Sequence, residues 1–509
     1  MELLPNTEQG LGFIDRFLLS AKRYPENIAI LIDETDEEIT YAELKERMER
    51  FKGAFEALGV SRGERVALML PTCIDFVACF YALASMEATA LFLSPRHTAY
   101  ELERILNDAR PARCITCAEY AAADQETFRR EGSVRSLLLT DKEKIETAHF
   151  GIESIWLDDY QNEKSALTPP AADALVTCHY TYKGLGYPVG VLHQYQDYTY
   201  DLEGWERRYV LGPDASSLAA VPIYPILGTV LLVMSPLCQG SRAVFVGNIM
   251  HMFKTGVIHL FERRQIKCTT IIPTLVRKML KEAIERGPDA EFDFHPQAGI
   301  SCGGDYLDAE TVRRVRDIMG IEIYQGYGAT EALIISVIPD GVRKAGSIGT
   351  VFARGTRVYI LDPDGDEVQP GRTGEIVVAG SIVAHSYLDK PDISQRFLKN
   401  QVFPTGDLGY MDDDGHIFFT GRFLPFTKIS AQMVDLLEIN KVFDMHPAVE
   451  DTLSEVVGQD GSNHVSSLVT IHRDEETTRE ELRAHCSEFL SKFKVPAKIR
   501  ILKQERPLA

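Results

Sequence analysis

The sequence predicts an α/β fold. A large N-terminal domain of stacked αβ subdomains includes a small β-barrel-like subdomain, and a small mobile α+β C-terminal domain follows. Three observations carry this. Strand-like runs alternate with amphipathic helices up to Glu331, the pattern of parallel sheets with crossover helices. From Gly346 that alternation gives way to hairpin signals such as Asp364-Gly365 and Asp414-Gly415. A chain of 509 residues is also too long for one core, and its length suggests two to four domains.

In chain order, Phe13 to Tyr24 carries apolar residues at helical spacing. Thr40-Tyr41-Ala42-Glu43 is a capping box, with Leu44, Met48, Phe51, Phe55 and Leu58 on one helical face. Val66 to Leu70 reads as a buried strand, followed by a helix through Phe76 and Ala84 and a strand over Ala90–Leu93. Thr98 and Glu101 form a second capping box, opening a helix through Leu106. The alternation repeats at Arg135–Leu139 and from Ala174. Ala174 to Val191 is a strand and then a Gly-rich loop holding Thr181, Lys183, Gly184, Gly186 and Gly190. Such loops offer backbone N–H groups to phosphate oxygens. A mobile surface turn reads the same way, and no Gly-Lys-Ser/Thr of a Walker loop follows.

Ala219–Gly228 reads as a strand ending in Pro222-Ile223-Tyr224-Pro225, then an apolar helix. Ala243–Val246 and Cys268–Ile272 are strands, Phe253–Arg263 and Pro273–Glu285 helices. Gly299–Gly304 is a strand ending in paired glycines, and the helix Ala309–Met319 leads into the central stretch, Ile323 to Glu331. An apolar start enters there from the core. Gln325-Gly326-Tyr327-Gly328 gives a tight backbone path beside a flat ring. Thr330 and Glu331 then set a hydroxyl beside a carboxylate, what a Mg-nucleotide site needs; a Gly-bearing turn that happens to end in Thr-Glu is the plain alternative. Beyond Gly346, Val358–Leu361, Glu375–Val378 and His416–Phe419 are antiparallel strands, and Phe403–Asp407 precedes the last hairpin. The domains expected are residues 1–424, with about 345–420 β-rich, and residues 425–509, with the boundary near Pro425.

Composition narrows the function. A net charge of −20 argues against nucleic acid or an anionic membrane as partner. The most apolar stretch, Ala219 to Leu237, holds three prolines and a glycine and reads as core, with no integral membrane association expected. Met1-Glu2-Leu3-Leu4-Pro5 is no signal peptide. The nine cysteines are scattered, with one CxxC at Cys114 and Cys117, so buried thiols and a cytoplasmic location are expected.

These motifs, in this order, resemble the adenylate-forming superfamily: acyl- and aryl-CoA synthetases, peptide-synthetase adenylation domains and luciferase-like enzymes. Tyr327-Gly328-Ala329-Thr330-Glu331, Thr405-Gly406-Asp407, and Gly421-Arg422 with Glu438 are similar to that family's motifs. So are Gly303-Gly304, Gly371-Gly374-Glu375 and Lys494-Val495-Pro496. The resemblance implies that a carboxylate attacks the α-phosphorus of ATP, giving an acyl-adenylate, and that a thiol of CoA or of a carrier-protein phosphopantetheine then displaces AMP. It implies that Thr330 binds phosphate, Glu331 holds Mg²⁺, Tyr327 packs on adenine, and Asp407 and Arg422 meet the ribose. Thr181, Gly184, Gly186, Gly303, Gly304, Asp305, Gln325, Gly326 and Gly328 join them around the nucleotide. Tyr224, Pro225, Gly228 and Ala332 wall the acyl pocket.

Four departures accompany it. In the phosphate loop the family's lysine is Val189 and its hydroxyl pair is Gly184-Leu185; Lys183 restores the charge from another position, or is a solvated loop lysine. Pro225 replaces a His at the acyl wall. Pro425 stands at the domain pivot, where proline fixes φ. The family's adenylation lysine lies past the place where this sequence ends, Arg506-Pro507-Leu508-Ala509, so either the sequence is truncated or it lacks that lysine and adenylates poorly. The expected function is ATP-dependent activation of a carboxylic acid, aryl or fatty, with transfer to CoA or an acyl carrier protein. Asp305 keeps an amino acid open as the substrate. The rivals are a catalytically impaired nucleotide- or acyl-binding partner protein and a thioester-forming partner that accepts adenylates made elsewhere.

Overall fold

The computed structural model describes residues 10–141, 152–160, 162–305, 307–339, 341–342, 344–422, 426–429, 432–458, 463–472 and 475–503. Alternating strands and helices build two large sheets. One has eight strands, in the order Ser386–Tyr387, Pro188–Gln194, Leu175–Tyr182, Thr89–Phe92, Arg65–Met69, Arg113–Thr116, Ser136–Leu139 and Glu153–Trp156. From Leu175–Tyr182 onward its neighbours are parallel. The other has nine, in the order Thr350–Val351, Leu333–Val337, Glu322–Ala329, Gly299–Cys302, Ile266–Ile271, Ser216–Ala219, Arg242–Phe245, Ile28–Ile32 and Glu37–Thr40. Central strands such as Thr89–Phe92 are buried along their whole length, which is why they read as apolar runs.

Amphipathic helices pack on the sheets. Both expected capping boxes form, Thr40 accepting from the Glu43 N–H and Thr98 from the Glu101 N–H. Phe13, Phe17, Tyr41 and Tyr81 meet ring to ring at the centre of the core. The helix Tyr195–Arg208 touches Pro188–Gln194 of one sheet and Leu333–Val337 of the other, and so ties together the two strands that reach the site.

Several elements differ from the sequence reading, each for a local reason. The helix expected over Phe253–Arg263 is broken into Ile249–Thr255 and Val257–Arg264 by Gly256, whose φ of +93° no α-helix holds. The strand expected through Pro225 ends at Ala219, because Pro222 and Pro225 cannot donate to a ladder. The apolar helix starts at Ile226 and takes π geometry over Thr229–Met234. The Gly-rich loop is shorter than expected: Thr181 and Gly190 lie in the flanking antiparallel strands, leaving residues 183–187 as the hairpin tip.

The β-rich part is an antiparallel sheet ordered Thr356–Leu361, Gly374–Gly380, Val402–Met411, Ile417–Arg422. Among the described residues these strands hydrogen-bond in a line. The run Phe403–Asp407, read only as a lead-in to the hairpin, is strand; Pro404 is tolerated beside a register shift. Residues 426–503 carry a ribbon (Phe426–Ile429 with Gln432–Asp435), the helices Leu436–Asp444 and Arg479–Phe489, and a sheet of Val449–Val457, His464–Ile471 and Lys498–Lys503 around a core of their own. Pro425, the expected pivot, and residues 504–509 lie outside the described residues. No described helix is long and apolar enough to cross a membrane.

Candidate active site

Thr330, Glu331 and Ala332 form the turn between the antiparallel strands Glu322–Ala329 and Leu333–Val337. The glycines before the turn are strand residues that let the hairpin close. A Cβ on Gly328 would lie 2.5 Å from the Leu333 carbonyl oxygen, and one on Gly326 would lie 3.3 Å from that of Ser336. Leu333 takes a left-handed φ of +45°, a strained conformation of the kind found at functional turns. Three hydrogen bonds hold the turn. The Ala332 N–H donates to the Ala329 carbonyl at 3.1 Å, the Ala384 N–H to that of Glu331 at 2.8 Å, and His193 Nε2 lies 2.7 Å from that of Thr330.

Across the cleft, Asp407 and Arg422 are direct cross-strand partners. Arg422 Nε donates to Asp407 Oδ1, and the Tyr327 hydroxyl donates to Asp407 Oδ2 at 2.6 Å. Burial, and then the Asp407 charge, push the Tyr327 phenol well above its usual pKa, so it stays a donor. Thr405 takes the Asp407 N–H at 3.0 Å and gives its own hydroxyl to the Ile376 carbonyl at 2.7 Å, fixing the Thr-Gly-Asp corner.

One cavity of about 180 Å³ joins these walls. Of the expected site residues, Thr181, Lys183, Gly303, Gly304, Gly326, Tyr327, Gly328, Thr330, Glu331, Asp407, Arg422, Pro225 and Gly228 line it. Gly184, Gly186, Asp305, Gln325, Tyr224 and Ala332 do not. Gly186 gives its N–H to Asp435 at 3.0 Å, so the loop tip faces the C-terminal part. Tyr224 takes the Ser94 hydroxyl at 3.0 Å, and Gln325 and Ala332 are buried in the hairpin. Gly228 must be small for packing, since a Cβ would lie 2.2 Å from the Pro222 carbonyl oxygen.

Lys183, read from sequence either as restoring the phosphate-loop charge or as a solvated loop lysine, points inward and is buried. Its Nζ is 3.3 Å from Glu331 Oε1 and 4.4 Å from the centre of the Phe403 ring. The Tyr387 hydroxyl donates to the same carboxylate oxygen at 2.9 Å. Sequence reasoning missed Tyr387 and His193, which sit in no motif and reach the site only through the fold, and gave no role to Phe403, just before the Thr405-Gly406-Asp407 motif. The apolar end is walled by Val221, Ile226, Leu227, Leu231, Ile272 and Ile334, with Thr270 and Ser301 as its polar members.

Behind the loop, Lys494 binds Glu101, Glu438 Oε2 at 2.9 Å and the Tyr182 hydroxyl at 2.9 Å, all buried or nearly so. The C-terminal part is thus fastened to the residue between Thr181 and Lys183.

The chain is similar in sequence and in overall fold to known proteins. A 2-succinylbenzoate–CoA ligase of Geobacillus sp. (strain WCH70) is 26% identical over 93% of this chain and 90% of its own. A long-chain-fatty-acid–CoA ligase of Escherichia coli O157:H7 is 25% identical over 97% and 91%. Among solved structures, o-succinylbenzoate CoA synthetase from Bacillus subtilis superposes with a TM-score of 0.80 at 21% identity, covering 97% of this chain and 96% of that one. An amide bond synthetase from Marinactinospora thermotolerans gives 0.82 at 20% identity with the same coverage. The family profile described as AMP-binding enzyme matches residues 17–388, and the chain belongs to that family.

Proposed function

We propose that this chain is an AMP-forming acid–thiol ligase: it activates a carboxylic acid with ATP as the acyl-adenylate and transfers the acyl group to CoA. The observation that carries the reading is the single cavity shared by Glu331, Thr330 and Lys183 on one wall and Asp407, Arg422 and Tyr327 on the other. The relatives, named as acid–CoA ligases, support the chemistry; nothing among them supports the non-catalytic reading. An acyl-carrier pantetheine presents the same thiol, and assay with free CoA separates the two acceptors.

In this reading the Thr330 hydroxyl and Lys183 ammonium meet the phosphates, and Asp407, held by Arg422 and Tyr327, accepts from the ribose hydroxyls. A carboxylate has about four lone-pair positions, so Asp407 retains capacity beyond its two protein donors. Fixed donors aligned on the reacting groups lower the barrier by orientation and charge stabilisation. Glu331 suits Mg²⁺, which is commonly held by one or two carboxylates plus substrate phosphates; both protein contacts given above fall on its Oε1. When bound, that cation would offset phosphate charge. We also read the phosphate loop as divergent, with Lys183 supplying the charge that buried Val189 cannot. The part from residue 425 is read as the separate C-terminal domain, and a cytoplasmic location fits the nine unpaired cysteines. Isotopic ATP–pyrophosphate exchange across a panel of acids tests the proposal. Exchange with any acid supports it, and nucleotide binding without exchange overturns it.

A further inference from the structure

His193, one residue from the end of the strand Pro188–Gln194, is fully buried and does not line the cavity. Its Nε2 lies 2.7 Å from the Thr330 carbonyl oxygen and its Nδ1 3.2 Å from Asp197 Oδ2. A carbonyl oxygen and a carboxylate both only accept, so both ring nitrogens carry a hydrogen, Nε2 donating to Thr330 and Nδ1 to Asp197. Asp197 also accepts the Gln194 N–H at 2.9 Å as part of the cap on the helix Tyr195–Arg208, which fixes the carboxylate that aims the ring. The Tyr198 ring packs on the imidazole at 5.7 Å between centroids. A continuous line of contacts therefore runs from a helix cap, through an imidazole, to the backbone of the residue whose neighbour's carboxylate meets Lys183.

The turn needs that anchor. It is only three residues long and runs directly into left-handed Leu333. A half-buried carbonyl that loses its donor is left poorly satisfied, and rotation of the Thr330–Glu331 peptide towards a new partner would swing Glu331 away. We propose that His193, oriented by Asp197, is the positioning residue that sets the Thr330–Glu331 turn, and with it the attitude of both side chains towards bound nucleotide. Only the identity of the bound molecule rests on the ligase reading; the anchoring of the turn does not.

Two substitutions separate this role from general packing. His193→Gln can place an amide N–H near the Nε2 position, whereas His193→Asn can reach only the Nδ1 position. Both keep a polar group of similar size in the same buried site. With unfolding midpoints as control, His193→Gln should keep Mg·ATP affinity and exchange rate within about threefold of the parent, and His193→Asn should lose about 10- to 100-fold. Asp197→Asn, which still offers the ring a partner, should behave like His193→Gln. Amide hydrogen exchange at Glu331 to Leu333 reports the turn without any nucleotide and should quicken in His193→Asn alone. Equal behaviour of the Gln and Asn variants in that exchange overturns the proposal. Failure of the parent to show pyrophosphate exchange would count against the ligase reading and leave the comparison of turns standing. Should both His193 variants fail to fold, unchanged amide exchange at Glu331 to Leu333 in Asp197→Ala, where the ring has lost its orienting partner, overturns it.

Discussion

Lys183 Nζ stands 3.3 Å from Glu331 Oε1, with both side chains almost wholly withdrawn from solvent. Neither charge is affordable alone in such a place. Removing one partner of a buried pair typically costs about 3–5 kcal/mol, because the other is left uncompensated. Lys183→Met should lower stability by that order in urea unfolding, and the double variant Lys183→Met, Glu331→Gln should recover part of it. If Lys183 also meets the phosphates, Lys183→Met weakens Mg·ATP binding about 10- to 100-fold, the worth of a charge-assisted hydrogen bond. Unchanged affinity would remove Lys183 from the nucleotide site.

The Tyr327–Asp407–Arg422 group makes a graded prediction. Asp407→Asn keeps the shape but loses the charge and one acceptor, and should weaken ATP binding by about tenfold or more. Tyr327→Phe removes only a neutral donor and keeps the ring, so its effect should be about fivefold or less. Titration calorimetry of both variants checks the order. A larger loss in Tyr327→Phe would mean that the hydroxyl, and not the carboxylate, carries the contact.

How much of this was legible follows from where each signal lives. Capping boxes, alternating elements and the Thr330-Glu331 and Asp407 motifs are local in sequence, and they reappear in the fold at the expected places. Pairings across the fold are not local. Tyr387 lies 56 residues from Glu331 and His193 lies 137 from Thr330, so no window contains either pair. Gly326 and Gly328 were read as a tight backbone path close to a ligand; both line the cavity, and the opposing hairpin strand also crowds them, Gly328 most. Gly186, read as a phosphate donor, spends its N–H on Asp435, a residue that only the packing of the C-terminal part brings near.

The acyl end of the cavity makes a prediction about substrate. Every charged side chain lining the cavity, Lys183, Glu331, Asp407 and Arg422, is engaged in the pairs described above, and the remaining walls are apolar or carry hydroxyls. A second carboxylate or a free ammonium buried there would go unpaired, at a cost of several kcal/mol. Apolar aryl or fatty monoacids should therefore exceed 2-succinylbenzoate and free amino acids by more than about tenfold in exchange rate per unit acid. A dianionic acid that ranked first would show that an uncompensated charge is accepted at this end.

Acid should loosen the fold in two steps, both traceable to the Lys494 cluster. Burial lowers the His97 imidazole from 6.5 to about 4, where Glu101 would raise it and Lys494 lowers it further. Its Nδ1 is sealed without a hydrogen-bond partner. Burial opposes the charge on Glu101, but Lys494, His97 and the Ser491 hydroxyl together outweigh it and bring the carboxyl from 4.5 to about 2. For both groups the unfolded chain binds the proton more readily, so stability falls as pH falls. The His97 contribution is lost between 6.5 and about 4, and that of Glu101 between 4.5 and about 2. The first step is worth at most about 3 kcal/mol. Urea midpoints measured from neutral pH down to about 4 should decline in the native chain, and the decline should flatten in His97→Asn. Lys494→Met should lower the whole curve by about 3–5 kcal/mol, since Glu101 and Glu438 would then face each other without a cation. An unaltered slope in His97→Asn would place the acid sensitivity elsewhere in the chain.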